Sequence, residues 1–170
     1  MGGSVRDLSL GLLPHDIDLV TTGDPEPLAR SFADAIGGSF FVMSEEFKAC
    51  RAVSADGRLV YDFTACRGAH IVEDLGERDF TANALAIELP IAEDRDGPCA
   101  PPAVAGKLID PFYGAAHLST RELVPVPDTI FNEDPLRLHL AVRLAQTGLQ
   151  VLGTAPALLL FTQPLPPLRP

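Results

Sequence analysis

A chain of 170 residues with 46% hydrophobic content and a mean hydropathy of +0.17 can bury one sizeable core, which excludes a disordered chain. Its 13 basic against 23 acidic residues leave a formal net charge of −10, which argues against tight polyanion binding by this unit alone, because RNA affinity rests on Lys and Arg neutralising phosphates. No 18-residue apolar run or signal peptide is present, and Cys50, Cys66 and Cys99 lack CxxC spacing, so a soluble, cytoplasmic chain with reduced thiols and no zinc site is expected.

The first chemically loaded stretch is Met1 to Val20, MGGSVRDLSLGLLPHDIDLV. Asp16 and Asp18 are separated by one residue, so in a strand they project to one side while Ile17 and Leu19 go to the other. Two ionised carboxylates that close repel, and next to an apolar run they fit a hard cation such as Mg²⁺, which wants oxygen ligands. Upstream, Gly2 and Gly3 let the backbone approach a ligand and Arg6 offers a forked donor for phosphate oxygens. Together these are parts for handling a nucleoside triphosphate. The competing reading is a glycine turn, a solvated arginine and an Asp-rich strand end.

Asp24 to Ile36 opens with acids and proline and repeats Leu28, Phe32 and Ile36 every four residues, which predicts an amphipathic helix. Apolar runs at 39–43, 49–53 and 59–64 predict strands, and Asp56-Gly57 between the last two signals a hairpin. Val60, Asp62 and Thr64 share one face of the third run, which makes Asp62 a candidate third carboxylate; a strand-edge Asp facing water is the alternative. ERDFTANALAIEL follows, in which Asp79 could cap a helix whose first turn holds Thr81, and 84–89 reads as a buried strand or helix end. The Pro-, Gly- and acid-rich residues 91–106 predict a loop, KLIDPF a short strand into a turn, and GAAHLSTREL a helix.

Asn132 to Gly148 predicts a helix with Asn132 as N-cap, Glu133 and Asp134 in its first turn, Pro135 tolerated there and Gly148 closing it. Asp134 and Arg137 fall on one face, where an ion pair is the plain interpretation.

As an ordered set, GGSVRD, HDIDLV, ERDFTANA and EDPLR resemble the head domain of class II tRNA nucleotidyltransferases (CCA-adding enzymes) and bacterial poly(A) polymerases, over residues 1 to about 148. The resemblance implies an α/β, polymerase-β-like nucleotidyltransferase head domain with a small mixed sheet flanked by helices. It implies Mg²⁺-assisted nucleotidyl transfer from CTP or ATP to a tRNA or other RNA 3′ end, with Asp16 and Asp18 holding the metal and Asp62 as third catalytic acid.

In the family the arginine matching Arg78 contacts the triphosphate, and the residues matching Asp79 and Asn83 approach the sugar. Gly2, Gly3, Arg6, Glu133, Asp134, Arg137 and Arg143 complete the nucleotide site. Asp134 and Arg137 would act as a protein template: a carboxylate accepting from the exocyclic amino group beside a guanidinium donating to the ring nitrogen selects C and A over U and G.

Three departures from the family stand out. Leu140 stands where the family has an arginine, and the Arg67–Glu77 connection is short, which leans towards partial activity; the third, His117 where the family usually has an acid, reads as a surface or satisfied polar residue and is assigned no role. The strand that precedes the glycine pair in the family is not found here, and residues 149–170 form a Pro-rich tail, expected to be poorly ordered, in place of neck helices. The expectation is therefore a truncated or head-only nucleotidyltransferase with weak RNA binding, and its rival is a non-catalytic nucleotide-binding remnant of the same fold.

Overall fold

The computed structural model describes residues 1–89, 106–126 and 136–151. The element that carries the rest is a four-stranded mixed sheet in the order β1-β4-β3-β2, built from β1 (Asp16–Thr21), β2 (Ser39–Ser44), β3 (Ala49–Val53) and β4 (Val60–Ala65). β1 pairs with β4 in parallel, Asp18 opposite Asp62. β3 pairs antiparallel with both neighbours. The hairpin predicted at Asp56-Gly57 joins β3 to β4: Gly57 takes φ 71°, which a side chain disfavours, and its N–H donates to the Ser54 carbonyl.

Helix α1 (Gly3–Ser9) lies beside β1, and α2 (Pro25–Ala35) covers one sheet face. Asp24 caps α2, its side chain accepting from the Glu26 N–H. The buried face of α2 is a correction. Ala29 and Ala33 are buried against Cys50, Ala52 and Phe63, with Phe32 at the edge, whereas Leu28 is 51% exposed. Small residues let the helix axis come close to the sheet, and a Leu28–Ile36 face would hold it off.

The remaining elements pack at the end of the sheet near α1. They are α3 (Ile71–Gly76), a 3₁₀ turn (Thr81–Asn83), the antiparallel pair β5 (Ala86–Glu88) and β6 (Lys107–Ile109), α4 (Gly114–Ser119), β7 (Glu122–Leu123), α5 (Leu136–Gln146) and β8 (Gln150–Val151). One core cluster joins Val5, Phe80, Leu85, Leu118, Leu123 and Leu144; a second gathers Leu75, Ala84 and Ala86 around Met1.

Two further expectations are corrected here. The helix expected over 114–123 stops at Ser119, because Arg121 adopts φ 60° and the fully buried Leu123 is drawn into an extended pair with Val151. Leu149 is also buried and Gln150 follows it into that pair, so packed structure continues past Gly148. The helix expected from Asn132 is described from Leu136, and its closure at Gly148, φ 91°, matches expectation. Its proposed cap at Asn132 lies outside the described residues, as do the loop residues 91–105 and the tail beyond Val151. Among the described residues no helix is long and apolar enough to cross a membrane.

The α2 packing gives a direct test. Ala29→Leu should destabilise the fold by about 1–3 kcal/mol through overpacking, while Leu28→Ala should change stability by less than about 0.5 kcal/mol, both measured by denaturant unfolding.

Candidate functional site

The parallel register sets the site. Asp16 and Asp18 lie on the face of β1 away from α2, and Asp62 meets Asp18 from the adjacent strand. The shared face of Asp16 and Asp18 is as their spacing predicts, and the pairing places the candidate Asp62 beside them. Burial pushes the Asp18 carboxyl above its usual range, with the like charges of Asp62 and Asp16 adding to it; the amino group of Met1 and Arg78 oppose it. Asp62 is held by Arg51, whose Nε and Nη2 donate to its two oxygens at 2.7 and 2.8 Å. That hydrogen bonding raises the Arg51 pKa in turn.

The glycine turn leans over this row. The Met1 nitrogen donates to the Asp18 carbonyl, and the Asp18 N–H donates to Ser4 Oγ. Gly2 sits at φ 68°, ψ −135°, a conformation that L side chains avoid. A Cβ on it would stand 3.1 Å from Arg78 Nη1 and 3.3 Å from Asp18 Oδ2. Gly2 is therefore where carboxylates and cationic cleft meet.

That cleft, of about 260 Å³, is lined by Gly3, Arg6, Arg67, Glu77, Arg78, Asp79 and Asn83. Arg6 Nη1 donates to Asn83 Oδ1 at 2.7 Å, and Asn83 Nδ2 donates to Asp79 Oδ1 at 3.1 Å. Asp79 does not cap the 3₁₀ turn as the plain interpretation has it; it accepts from Phe80 N and fixes the Asn83 amide. Arg78 is tethered through Nη2 to the buried Asp74, yet its Nε is buried with no hydrogen-bond partner among the described residues. A buried guanidinium donor left unmatched on a cleft wall is suited to an anionic oxygen.

The structure thus brings together Gly2, Gly3, Arg6, Asp16, Asp18, Asp62, Arg78, Asp79 and Asn83. Arg143 is exposed on α5 and is absent from the cleft lining, Arg137 lies on the first turn of α5, and Glu133 and Asp134 lie outside the described residues. Leu140 packs against the main core cluster, so the position that carries an arginine in the resembled family is here an apolar contact. His117, assigned no role, bonds through Nδ1 with Thr81 Oγ1.

Sequence reasoning missed Arg51, Asp74 and Ser4. For Arg51 there was a signal, a lone cation inside the apolar run ACRAV, which in a sheet needs a partner across the strand; Asp74 and Ser4 gave none. A metal could take oxygen ligands from Asp16 and Asp18; among the described residues no three acidic, His or Cys side chains converge as a ready-made cage.

A mixed sheet with an Asp-x-Asp strand beside a glycine turn and an arginine-lined cleft is the polymerase-β-like nucleotidyltransferase head. The chain belongs to the poly A polymerase head domain family, whose profile matches residues 1–124. It is similar to the CC-adding tRNA nucleotidyltransferase of Geobacter sulfurreducens (38% identity, 85% of this chain, 30% of the relative). It is also similar to the A-adding tRNA nucleotidyltransferase of Halalkalibacterium halodurans (31%, 93% and 39%). Among solved structures it resembles a CCA-adding enzyme in complex with CTP (TM-score 0.77, 31% identity, 93% of this chain, 36% of that one). A tRNA nucleotidyltransferase complexed with a primer tRNA and an incoming ATP analogue matches similarly (TM-score 0.76, 30%, 93% and 44%). The chain thus spans about a third of the curated relatives it matches.

The raised Asp18 pKa carries a sign. A carboxyl whose pKa is higher folded than unfolded holds its proton more tightly in the fold, so its contribution to stability falls as pH rises through the gap and stays unfavourable at neutral pH. Asp18→Asn should therefore raise the melting temperature at pH 7, and its advantage over the unaltered chain should vanish as pH approaches the ordinary carboxyl value of 3.8. Thermal melts of both proteins across pH check this.

Proposed function

We propose that this chain is the catalytic head of an RNA nucleotidyltransferase: the 3′-hydroxyl of a tRNA or related RNA, losing its proton, bonds to the α-phosphorus of CTP or ATP as the α–β phosphoanhydride bond breaks and pyrophosphate leaves. The observation that carries this is the junction at Gly2, where Asp18 of the acidic row and Arg78 of the cleft both crowd the space that a Cβ on this residue would take. An acceptor hydroxyl at the row and a triphosphate in the cleft would then be side by side, as in-line displacement requires.

The donor set fits Mg²⁺, which is commonly bound through one or two carboxylates together with substrate phosphates. Asp16 and Asp18 would hold it, and it would supply charge neutralisation at the phosphates and acidify the attacking hydroxyl. The rest falls to the chain. Arg6, Arg78 and the backbone at Gly2 and Gly3 bind the triphosphate, the unmatched Arg78 Nε giving one donor. Asn83, its amide oriented by Arg6 and Asp79, presents to the sugar. Each Asp62 oxygen spends one lone pair on Arg51 and keeps another with which to orient the hydroxyl. Asp134 and Arg137 would select the base, and Glu133 and Arg143 would support nucleotide binding.

One observation favours a non-catalytic nucleotide-binding remnant instead: Leu140 is packed into the core where a phosphate-facing arginine is expected. Incorporation of labelled CTP and ATP into tRNA lacking its 3′ CCA, with and without Mg²⁺, separates the two. Transfer is expected, and Asp16→Asn or Asp18→Asn should lower it by at least about a thousandfold with the fold intact by circular dichroism. Nucleotide binding without transfer in the unaltered chain would favour the remnant.

Base choice offers a second test. Asp134→Ala should cut discrimination against UTP and GTP by roughly ten- to a hundredfold, the loss of one charged hydrogen bond. A competition of all four nucleotides measures it, and an unchanged preference order with a slightly lower melting temperature would leave the pair as a helix-surface ion bridge.

A further inference from the structure

Across the sheet, Asp18 stands opposite Asp62, Asp62 opposite Arg51, and Arg51 opposite Phe41. Directly opposed residues share a face, so these four form one row spanning the four strands. The other face is sealed by α2: Phe63, Cys50 and Ala52 are buried there with Tyr61 and Phe40 at the margin, and the Arg30 guanidinium lies over the Phe40 ring. Phe41, the next residue, must point the opposite way, onto the carboxylate face, and it is 50% exposed. This half-exposed apolar ring, two strand spacings or about 10 Å from Asp62, belongs to none of the core clusters among the described residues.

We propose that Phe41 is a stacking platform for the 3′-terminal bases of the acceptor RNA. The occupant follows from the row, because whatever places a hydroxyl at Asp18 and Asp62 must lay its adjoining bases along the same open face. Charge favours stacking as the means of holding it. A chain of net charge −10 has little phosphate neutralisation to offer, while an aromatic face binds any base whatever the charge around it. Arg51, fixed between Asp62 and Phe41, keeps a cation beside the path of the strand. The platform rests on the transfer reading above and adds to it the place where the acceptor lies.

The test uses the full chain and a tRNA whose 3′-terminal nucleotide is 5-iodocytidine. Irradiation should crosslink that nucleotide to the peptide containing Phe41. In the transfer assay, Phe41→Ala should raise the KM for tRNA roughly five- to a hundredfold, Phe41→Trp should restore it, and the KM for CTP should not change.

Transfer with crosslinks only elsewhere and an unchanged tRNA KM would overturn the platform and leave the transfer reading standing. A Phe41 crosslink without transfer by the unaltered chain would do the reverse. An equal rise in the KM for CTP would overturn the platform by showing a distorted site. A concentration-dependent dimer dissolved by Phe41→Ala would overturn it by giving the face to a second copy of the chain.

Discussion

The arrangement on which everything else depends is the parallel pairing of β1 with β4, which sets Asp18 against Asp62 with Asp16 two residues away. Parallel neighbours in a small sheet lie about 4.8 Å apart, so three carboxyl groups share one patch of the open face. The fold answers with cations at fixed places. Arg51 grips Asp62 with both ends of its fork, and the charge of Arg78, anchored on the buried Asp74, favours the ionised form of Asp18. Even so, burial leaves the Asp18 carboxyl above its ordinary range.

The sheet divides two jobs between its faces. Toward α2 it is dry and closely packed, with Phe63 and Ala52 almost without solvent contact, and this face fixes the strand register. The opposite face is wet and carries charge. Because side chains alternate along a strand, one register serves both purposes, and a slip of one residue would bury the carboxylates and expose the core.

Much of this was legible in the sequence where the signal is local. The Asp-x-Asp alternation, the helix opening at 24–36, the Asp56-Gly57 turn and the strands around it depend on residues a few positions apart, and each formed as its chemistry dictates. Helix extents and faces were harder. The 114–123 segment has helical composition throughout, and only the demand of the core for Leu123 in an extended pair ends the helix early. On α2 the larger side chains suggested the wrong face, since how closely a helix approaches a sheet is decided by its smallest residues. Least legible were the partners that complete the site. Asp74 is an ordinary acid in sequence, and nothing local says that it will be buried beneath two arginine-bearing turns.

The Arg6–Asn83 hydrogen bond spans 77 positions, and Ser4 fastens the first helix to β1 across 14. A cleft closed by contacts so distant along the chain cannot form from either half alone, since loop-closure entropy is spent before those contacts give anything back. The nucleotide cleft should therefore be among the last parts to appear during folding. An intermediate that already holds the α2-covered sheet would carry its acidic row exposed, with Arg6 and Asn83 still apart.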